Sequence, residues 1–252
     1  MKTKNILSFL EQFAPYELAE SWDNCGLLVG DKEQEVKKVI CALDVTQNVI
    51  NEAINTDCNL IVAHHPLIFT SIQAITSSDP VGKMIMTAVK NDISIICMHT
   101  NLDSTQGGVN DALANKLGLQ NIYSDEKMTL GRIGNLVEAM QFDDFLFHVK
   151  TSLNANGLKF VGSKACKKIA VLGGSGGKLM DFALRNDCDT YVTSDCSYDI
   201  FQKADNLGIN LIDAGHFATE NVIIDVLVSK INETFGQIAC KSQIHEDIIN
   251  FR

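Results

Sequence analysis

The chain has 252 residues, 46% of them hydrophobic and 21% charged, so it can bury a substantial core without disulfides and does not resemble a disordered chain. Its formal net charge of −10 argues against nucleic acid and anionic membranes as partners, because sequence-independent binding to either needs a basic surface. No apolar run approaches the ~20 residues of a membrane span, and the N-terminal residues lack the apolar stretch of a signal peptide, so we expect a cytoplasmic protein.

The eight cysteines form no C-x-x-C pair, and most lie in apolar surroundings. Cys41 in VICALD and Cys97 in SIICMHT are examples. We therefore predict reduced, buried side chains and no zinc–thiolate site.

Strand-like runs alternate with helical patterns along the chain, which predicts largely parallel sheets covered by helices. In the first half, we predict strands at 39–43, 60–63 and 93–98 and helices at 49–55 and 81–90. In the second half, we predict strands at 168–172, 190–193 and 209–212 and helices at 178–184, 198–207 and 219–230. A further helix of roughly fifteen residues should begin near Asp143. Asn110 should cap a helix within 107–119.

An internal repeat relates the two halves. Residues 38–65 align without a gap on residues 168–195, with five identities where composition alone would give about two. This predicts two similar α/β domains, residues 1–126 and 127–252, facing across a pseudo-twofold axis, with the C-terminal helix packing back on the first. The alternative is that any two strand–helix–strand units look alike.

Two adjacent histidines, His64 and His65, follow a buried strand in IVAHHPLIF, residues 61–69. Side chains alternate along a strand, but where the chain turns before Pro66 two imidazoles can reach two neighbouring points. Two metal ions a few ångströms apart would use that arrangement. The alternative for this pair alone is packing or capping.

Two further motifs also come at predicted strand ends. In MHTNLDS, residues 98–104, Asp103 can bridge two cations, or it can be an acid of a turn. His99 can bind a metal itself, orient a ligand or pack in the strand, and we favour the orienting role. In DAGHFATE, residues 213–220, His216 and Glu220 are four residues apart at a helix start and share a face. The alternative for Glu220 is an acid favoured by the helix dipole.

Together, three imidazoles and two carboxylates from both halves predict a dinuclear metal site. Nitrogen and oxygen ligands of this kind suit zinc, iron, manganese, cobalt or nickel. A water molecule bound to such ions ionises near neutral pH and becomes a nucleophile. The predicted ligands are His64, His65, Asp103, His216 and Glu220.

Two other segments carry weaker signals. The run VLGGSGG, residues 171–177, could bind phosphate through the backbone of Gly173, Gly174, Ser175 and Gly176, or could be only a tight turn. In SWDNCGLLVG, residues 21–30, the single tryptophan, Trp22, is predicted to anchor the core, with a substrate-pocket role as the alternative.

The ordered motifs SWDNCGLLVG, VAHHPLIF, HTNLDS, GGVND, GRIGNL, GGSGG and DAGHFATE resemble the GTP cyclohydrolase I type 2 homologue family, also called the Nif-three-like proteins. The resemblance covers essentially the whole chain. It implies two similar, interlinked α/β domains, assembled as a toroid of six subunits with the metal sites facing an internal cavity. Some members carry an inserted ferredoxin-like domain, and this chain is too short to contain it.

The resemblance also implies roles for the predicted ligands. Glu220 would bridge two divalent ions, Asp103 and one of the paired histidines would bind the first, and His216 and the other histidine the second. The implied activity is hydrolytic opening of the GTP purine ring with loss of C8 as formate, with His99 as a proton-transfer partner. The alternatives are a metal-dependent phosphoesterase acting on a nucleotide or another phosphate ester, and a non-enzymatic metal-binding regulatory protein.

Overall fold

The computed structural model describes residues 1–252. The strands are β1 Gly26–Val29, β2 Val39–Ala42, β3 Leu60–Ala63, β4 Ser94–Cys97, β5 Gln120–Asp125, β6 Met128–Met140, β7 Lys159–Val161, β8 Cys166–Val171, β9 Thr190–Thr193, β10 Asn210–Asp213 and β11 Ala239–Lys241. The α-helices are α1 Thr3–Phe13, α2 Gln47–Asn55, α3 Pro80–Lys90, α4 Thr100–Ser104, α5 Val109–Lys116, α6 Phe142–Leu153, α7 Asp181–Arg185, α8 Tyr198–Leu207, α9 His216–Glu220 and α10 Val222–Phe235. None of these helices has both the length and the apolar character needed to span a membrane.

The chain divides into two units, each with its own sheet. The first unit contains Met1–Thr105 and Ile224–Glu246, and the second contains Gln106–Ile223 and Asp247–Arg252. The division falls before α5 instead of after residue 126, because β5 pairs with β6 of the second sheet. The segment Ile224–Glu246 belongs to the first unit because its strand β11 pairs with β2 in parallel.

The first sheet has the strand order β1-β4-β3-β2-β11. Its three central strands are parallel and fully buried, as their continuous apolar sequences VICA, LIVA and SIIC require. Helices α2 and α3 pack their apolar stripes on the same core. Both begin at a capping side chain, because Thr46 accepts from the Val49 amide and Asp79 from the Gly82 amide.

The second sheet has the order β5-β6-β8-β9-β10-β7. Strands β8, β9 and β10 are parallel, and the strands outside them run antiparallel. Apolar clusters cover both faces, one containing Phe142 and Phe145 and the other Phe182 and Tyr191. The predicted α/β class with parallel strands is therefore confirmed in each unit.

Most predicted elements are confirmed within a few residues, and three details differ. Residues 178–184 form a 3₁₀ turn, Gly177–Leu179, followed by α7, and residues 219–230 are divided between α9 and α10. Asn110 does not cap α5, because the helix begins one residue earlier and the buried Asn110 side chain accepts a hydrogen bond from the Gly173 amide instead.

The residues aligned in the sequence repeat share a local backbone geometry. Asp57 and Asp187, which follow α2 and α7, both have left-handed φ angles, 56° and 53°. In both units the amide of the next residue donates to a carbonyl of the preceding helix. The Cys58 amide donates to the Ala53 carbonyl, and the Cys188 amide donates to the Ala183 carbonyl. The strand–helix–strand turn is therefore built in the same way in both units.

Candidate metal centre

In the first unit, three parallel strands bring their following residues to one edge of the sheet. Asp44 comes after β2, His64 and His65 after β3, and His99 after β4, and the three strands pair in register. Ligand sites in open α/β sheets lie at the carboxyl ends of the strands for this reason. Helix α4 then begins directly after His99 and carries Asp103.

His64 is completely buried, and its two ring nitrogens have different partners. Nδ1 lies 2.9 Å from the carbonyl oxygen of Met98, which can only accept, so Nδ1 carries the proton. Nε2 then carries the lone pair and lies 3.5 Å from Oδ1 of Asp103. A basic nitrogen and a carboxylate oxygen at this separation are suited to binding one cation.

His65 is oriented by a carboxylate. Its Nδ1 lies 2.7 Å from Oδ1 of Asp44, and the other oxygen of Asp44 lies 2.9 Å from Nε2 of His245, in the segment after β11. Burial opposes ionisation of Asp44, but the bonds from His245 and His65 outweigh it and hold the pKa of Asp44 well below its usual range. His65 therefore faces a permanent anion through Nδ1.

His99 is held in the same way. Its Nδ1 lies 2.8 Å from Oδ1 of Asp23, whose other oxygen accepts the Thr100 amide at 2.9 Å. Burial opposes ionisation of Asp23, but these bonds keep its pKa below the usual range. One ring nitrogen each of His64, His65 and His99 lie within 4.8 Å of one another. The structure thus places His99 as near to the histidine pair as a ligand would be.

In the second unit, α9 presents His216 and Glu220 on one face, as their spacing predicts. His216 Nε2 lies 2.9 Å from Oε2 of Glu220, and Nδ1 lies 2.8 Å from Oδ2 of Asp195, which follows β9. Burial lowers the pKa of His216, but Glu220 and then Asp195 raise it to about 9. Glu220 itself is buried.

The glycine-rich loop contacts Glu220 and does not offer a row of amides to phosphate. The Gly173 amide donates to Asn110, the Gly174 amide to the Thr219 hydroxyl, and the Gly176 amide to the Gly174 carbonyl. The hydroxyl of Ser175 donates to Asp195. The predicted phosphate site therefore lacks available N–H groups at these three glycines.

Gly174 has a positive φ of 64°, and a Cβ atom at this position would run into the Glu220 carboxylate. Glycine is required here so that the backbone can approach the acid. The loop therefore acts as packing around Glu220.

Four histidines described above share one feature, an oxygen atom that contacts Nδ1. They are His64, His65, His99 and His216. The acceptors are the Met98 carbonyl and the carboxylates of Asp44, Asp23 and Asp195. This arrangement is typical of metal-binding histidines, because it fixes the ring and turns Nε2 toward a metal ion, which in His216 requires that Nε2 first lose its proton. With the carboxylates of Asp103 and Glu220, the donor set fits divalent transition metals, and these His, Asp and Glu groups could bind such an ion.

Sequence reasoning missed the residues that orient the histidines. Asp44 and Asp195 each follow a parallel strand, which is a signal that could have found them. His245 had none, because 201 residues separate it from Asp44. The prediction that Trp22 anchors the core was wrong: its side chain is 57% exposed, and its ring contacts are with Phe69 and His99.

These features define a two-unit α/β protein with anchored histidines and acids suited to a metal ion. The family profile of Duf34/NIF3 (NGG1p interacting factor 3) matches residues 1–247, and the chain belongs to this family. The resemblance predicted from the ordered motifs is thereby confirmed.

Relatives of known name and structure match over nearly the whole chain. The GTP cyclohydrolase 1 type 2 homolog of Clostridium acetobutylicum is 34% identical over 97% of this chain and 94% of its own length. The crystal structure of Staphylococcus aureus protein SA1388 covers 100% of this chain and 99% of its own, with 30% identity and a TM-score of 0.91. Reduced HcgD from Methanocaldococcus jannaschii, 31% identical with a TM-score of 0.83, covers 97% and 98%.

Proposed function

We propose that this protein is a metal-dependent hydrolase that binds two divalent ions. The residues that would hold the ions are His64, His65, Asp103, His216 and Glu220. The observation that carries the proposal is the oxygen acceptor at Nδ1 of every candidate histidine, which is a carboxylate for His65, His99 and His216 and the Met98 carbonyl for His64. Such an acceptor fixes the ring and leaves Nε2 to face a metal ion.

The contacts within the first unit support one assignment of the paired histidines. His64 Nε2 lies 3.5 Å from Asp103, so we assign these two residues to the same ion. His65 is then left for the second ion, together with His216.

Such ions, when bound, lower the pKa of a water molecule and polarise the bond to be hydrolysed. The residues of the chain hold the geometry: Asp44 and Asp195 keep His65 and His216 in one tautomer. His99, whose Nδ1 proton is held by Asp23, can accept and return a proton at Nε2.

We propose a nucleotide as substrate and opening of the GTP purine ring, with release of formate, as the reaction. The support is the name shared by relatives such as those of Clostridium acetobutylicum and Clostridium perfringens, both 34% identical. A toroidal homohexamer is proposed as the assembly, and sedimentation of the purified protein would test it.

The test uses purified protein with its metal content quantified, incubated with GTP and separately with phosphodiesters, while formate and phosphate are assayed. Formate released from GTP by the wild type, and lost in both His65→Ala and Glu220→Ala, would support the proposal. His148→Ala is the matched control, because His148 bonds through Nε2 to the Leu117 carbonyl and joins no candidate metal group.

Other outcomes discriminate the alternatives. Phosphate released without formate would identify a phosphoesterase. Bound metal without turnover of either substrate would indicate a metal-binding regulatory protein. Turnover that survives both ligand substitutions would contradict the proposed site.

A further inference from the structure

Two large aromatic side chains of the first unit are exposed and touch each other. Trp22 is 57% and Phe69 is 55% exposed, and their ring centroids lie 5.7 Å apart with a 52° tilt. Trp22 comes after α1 and the 3₁₀ turn Tyr16–Leu18, and Phe69 lies five residues after His64. Burying such rings is worth several times the thermal energy, so an exposed pair marks a surface suited to a ligand or a partner.

The aromatic pair is continuous with the candidate ligands. The centroids of Trp22 and Phe69 both lie 6.1 Å from that of His99, with nearly perpendicular planes. The His99 ring in turn lies 5.2 Å from His64 and 5.5 Å from His65. A molecule in contact with the two aromatic rings would therefore lie beside the histidines.

A cavity also opens next to Phe69. It has a volume of about 290 Å³ and is lined by the loop of residues 67–74 together with Asp79 and Val81. This volume lies just below the range of about 300–1,000 Å³ that is typical of small-molecule pockets, and Phe69 is the member of the aromatic pair that lines the cavity.

We propose that Trp22 and Phe69 form a stacking surface for the planar purine ring of the substrate, held beside His99. The inference rests on the proposed function, because it takes the stacked ring to be part of the molecule that is hydrolysed. Aromatic side chains bind bases through their faces without reading an edge, so this surface provides affinity and position, while selection among bases would come from other groups.

The single tryptophan of the chain makes this surface directly observable. Guanosine is titrated into metal-free protein while the Trp22 emission is recorded, with ribose 5-phosphate as the ligand without a base. N-acetyl-tryptophanamide corrects for light absorbed by guanosine. We expect saturable quenching by guanosine and none by ribose 5-phosphate.

Variants of Phe69 retain the reporter. Phe69→Ala should weaken guanosine binding about tenfold, whereas Phe69→Tyr, which keeps the ring, should restore it. The matched control is Phe147→Ala, since Phe147 is an exposed phenylalanine of α6 with none of these ring contacts. Calorimetry measures the same loss for Trp22→Ala, which has no reporter.

Three results would overturn the inference: no saturable quenching by guanosine, equal quenching by ribose 5-phosphate, or unchanged affinity in Phe69→Ala. A fall in sedimenting mass in Trp22→Ala, without any change in guanosine affinity, would instead assign the surface to a contact between copies. Formate release without quenching would contradict the stacking surface and leave the proposed hydrolase standing. Quenching without hydrolysis would contradict the proposed hydrolase and leave a surface that binds a purine ring.

Discussion

The two units anchor histidines in the same way but carry them on different elements. In the first unit, His64, His65 and His99 extend from parallel strands whose positions are fixed by the sheet. In the second, His216 and Glu220 are on α9, a helix of five residues. A helix this short has little stability of its own, so its geometry depends on the glycine loop and on Asp195.

The sequence repeat makes this difference more specific. His64 and His65 of the first unit align with Ser194 and Asp195 of the second. At the same strand end, one unit therefore has candidate ligands and the other a carboxylate that orients a candidate ligand. A duplicated strand end can thus serve either role, depending on which neighbouring element supplies the ligand.

The largest effect on metal binding should come from a substitution in the glycine loop that packs against Glu220. In Gly174→Ala the added Cβ would displace the Glu220 carboxylate, and we expect metal affinity to fall about 100-fold. Isothermal titration with Zn²⁺ measures this loss.

Gly118→Ala is the matched control, because Gly118 also has a positive φ, 73°, but its Cβ would meet nothing within 4 Å. Gly118→Ala should lower the free energy of unfolding by about 1 kcal/mol through backbone strain, and Gly174→Ala should lower it further because it also displaces the buried Glu220 carboxylate. Equal metal affinity in the two variants would refute the role of the loop.

The second largest effect should come from the carboxylates that orient the histidines. Their substitution tests whether both units position a histidine through a carboxylate at Nδ1. Asp44→Ala and Asp195→Ala each release one histidine Nδ1, so each should weaken Zn²⁺ binding about 10- to 50-fold. Asp225→Ala is the control, since this exposed carboxylate pairs only with Lys241. If one of the two variants bound Zn²⁺ like the wild type, the carboxylate would have no role in metal binding in that unit.

The smallest effect should come from His245, which acts on His65 through Asp44. His245→Ala should weaken Zn²⁺ binding about threefold, because Asp44 keeps its bond to His65 but loses one of its two supports. His245→Gln, which offers an amide N–H in a similar place, should recover the affinity. If Zn²⁺ affinity did not recover in His245→Gln, the segment after β11 would contribute only to stability.

The sequence predicted the positions of the candidate ligands better than it predicted the residues that orient them. Histidines and acids at strand ends, or four residues apart at a helix start, follow from local periodicity and can be read without tertiary structure. The support of His65 depends on β11 adding to β2, a pairing across about two hundred residues that no local pattern encodes. The unit boundary lies before residue 126 for a different reason, because β5 pairs with the next strand, β6, and so belongs to the second sheet.

Trp22 shows a second limit of sequence reasoning. Large apolar side chains are usually buried, so composition favoured a core position. Its exposure depends on the turn before β1 and on its contacts with Phe69 and His99, which tertiary structure alone determines. A functional surface of apolar residues looks like core in a sequence.

The proposed function requires ligands from both units for two metal ions, and we test it by equilibrium binding of Co²⁺, followed through the visible absorption of the bound ion. We expect two ions per wild-type chain, with spectra of nitrogen and oxygen ligation. We expect altered spectra and reduced stoichiometry in His65→Ala of the first unit and in Glu220→Ala of the second, but not in His148→Ala. Absence of binding in the wild type, or wild-type binding in either ligand variant, would contradict the proposed two-ion site.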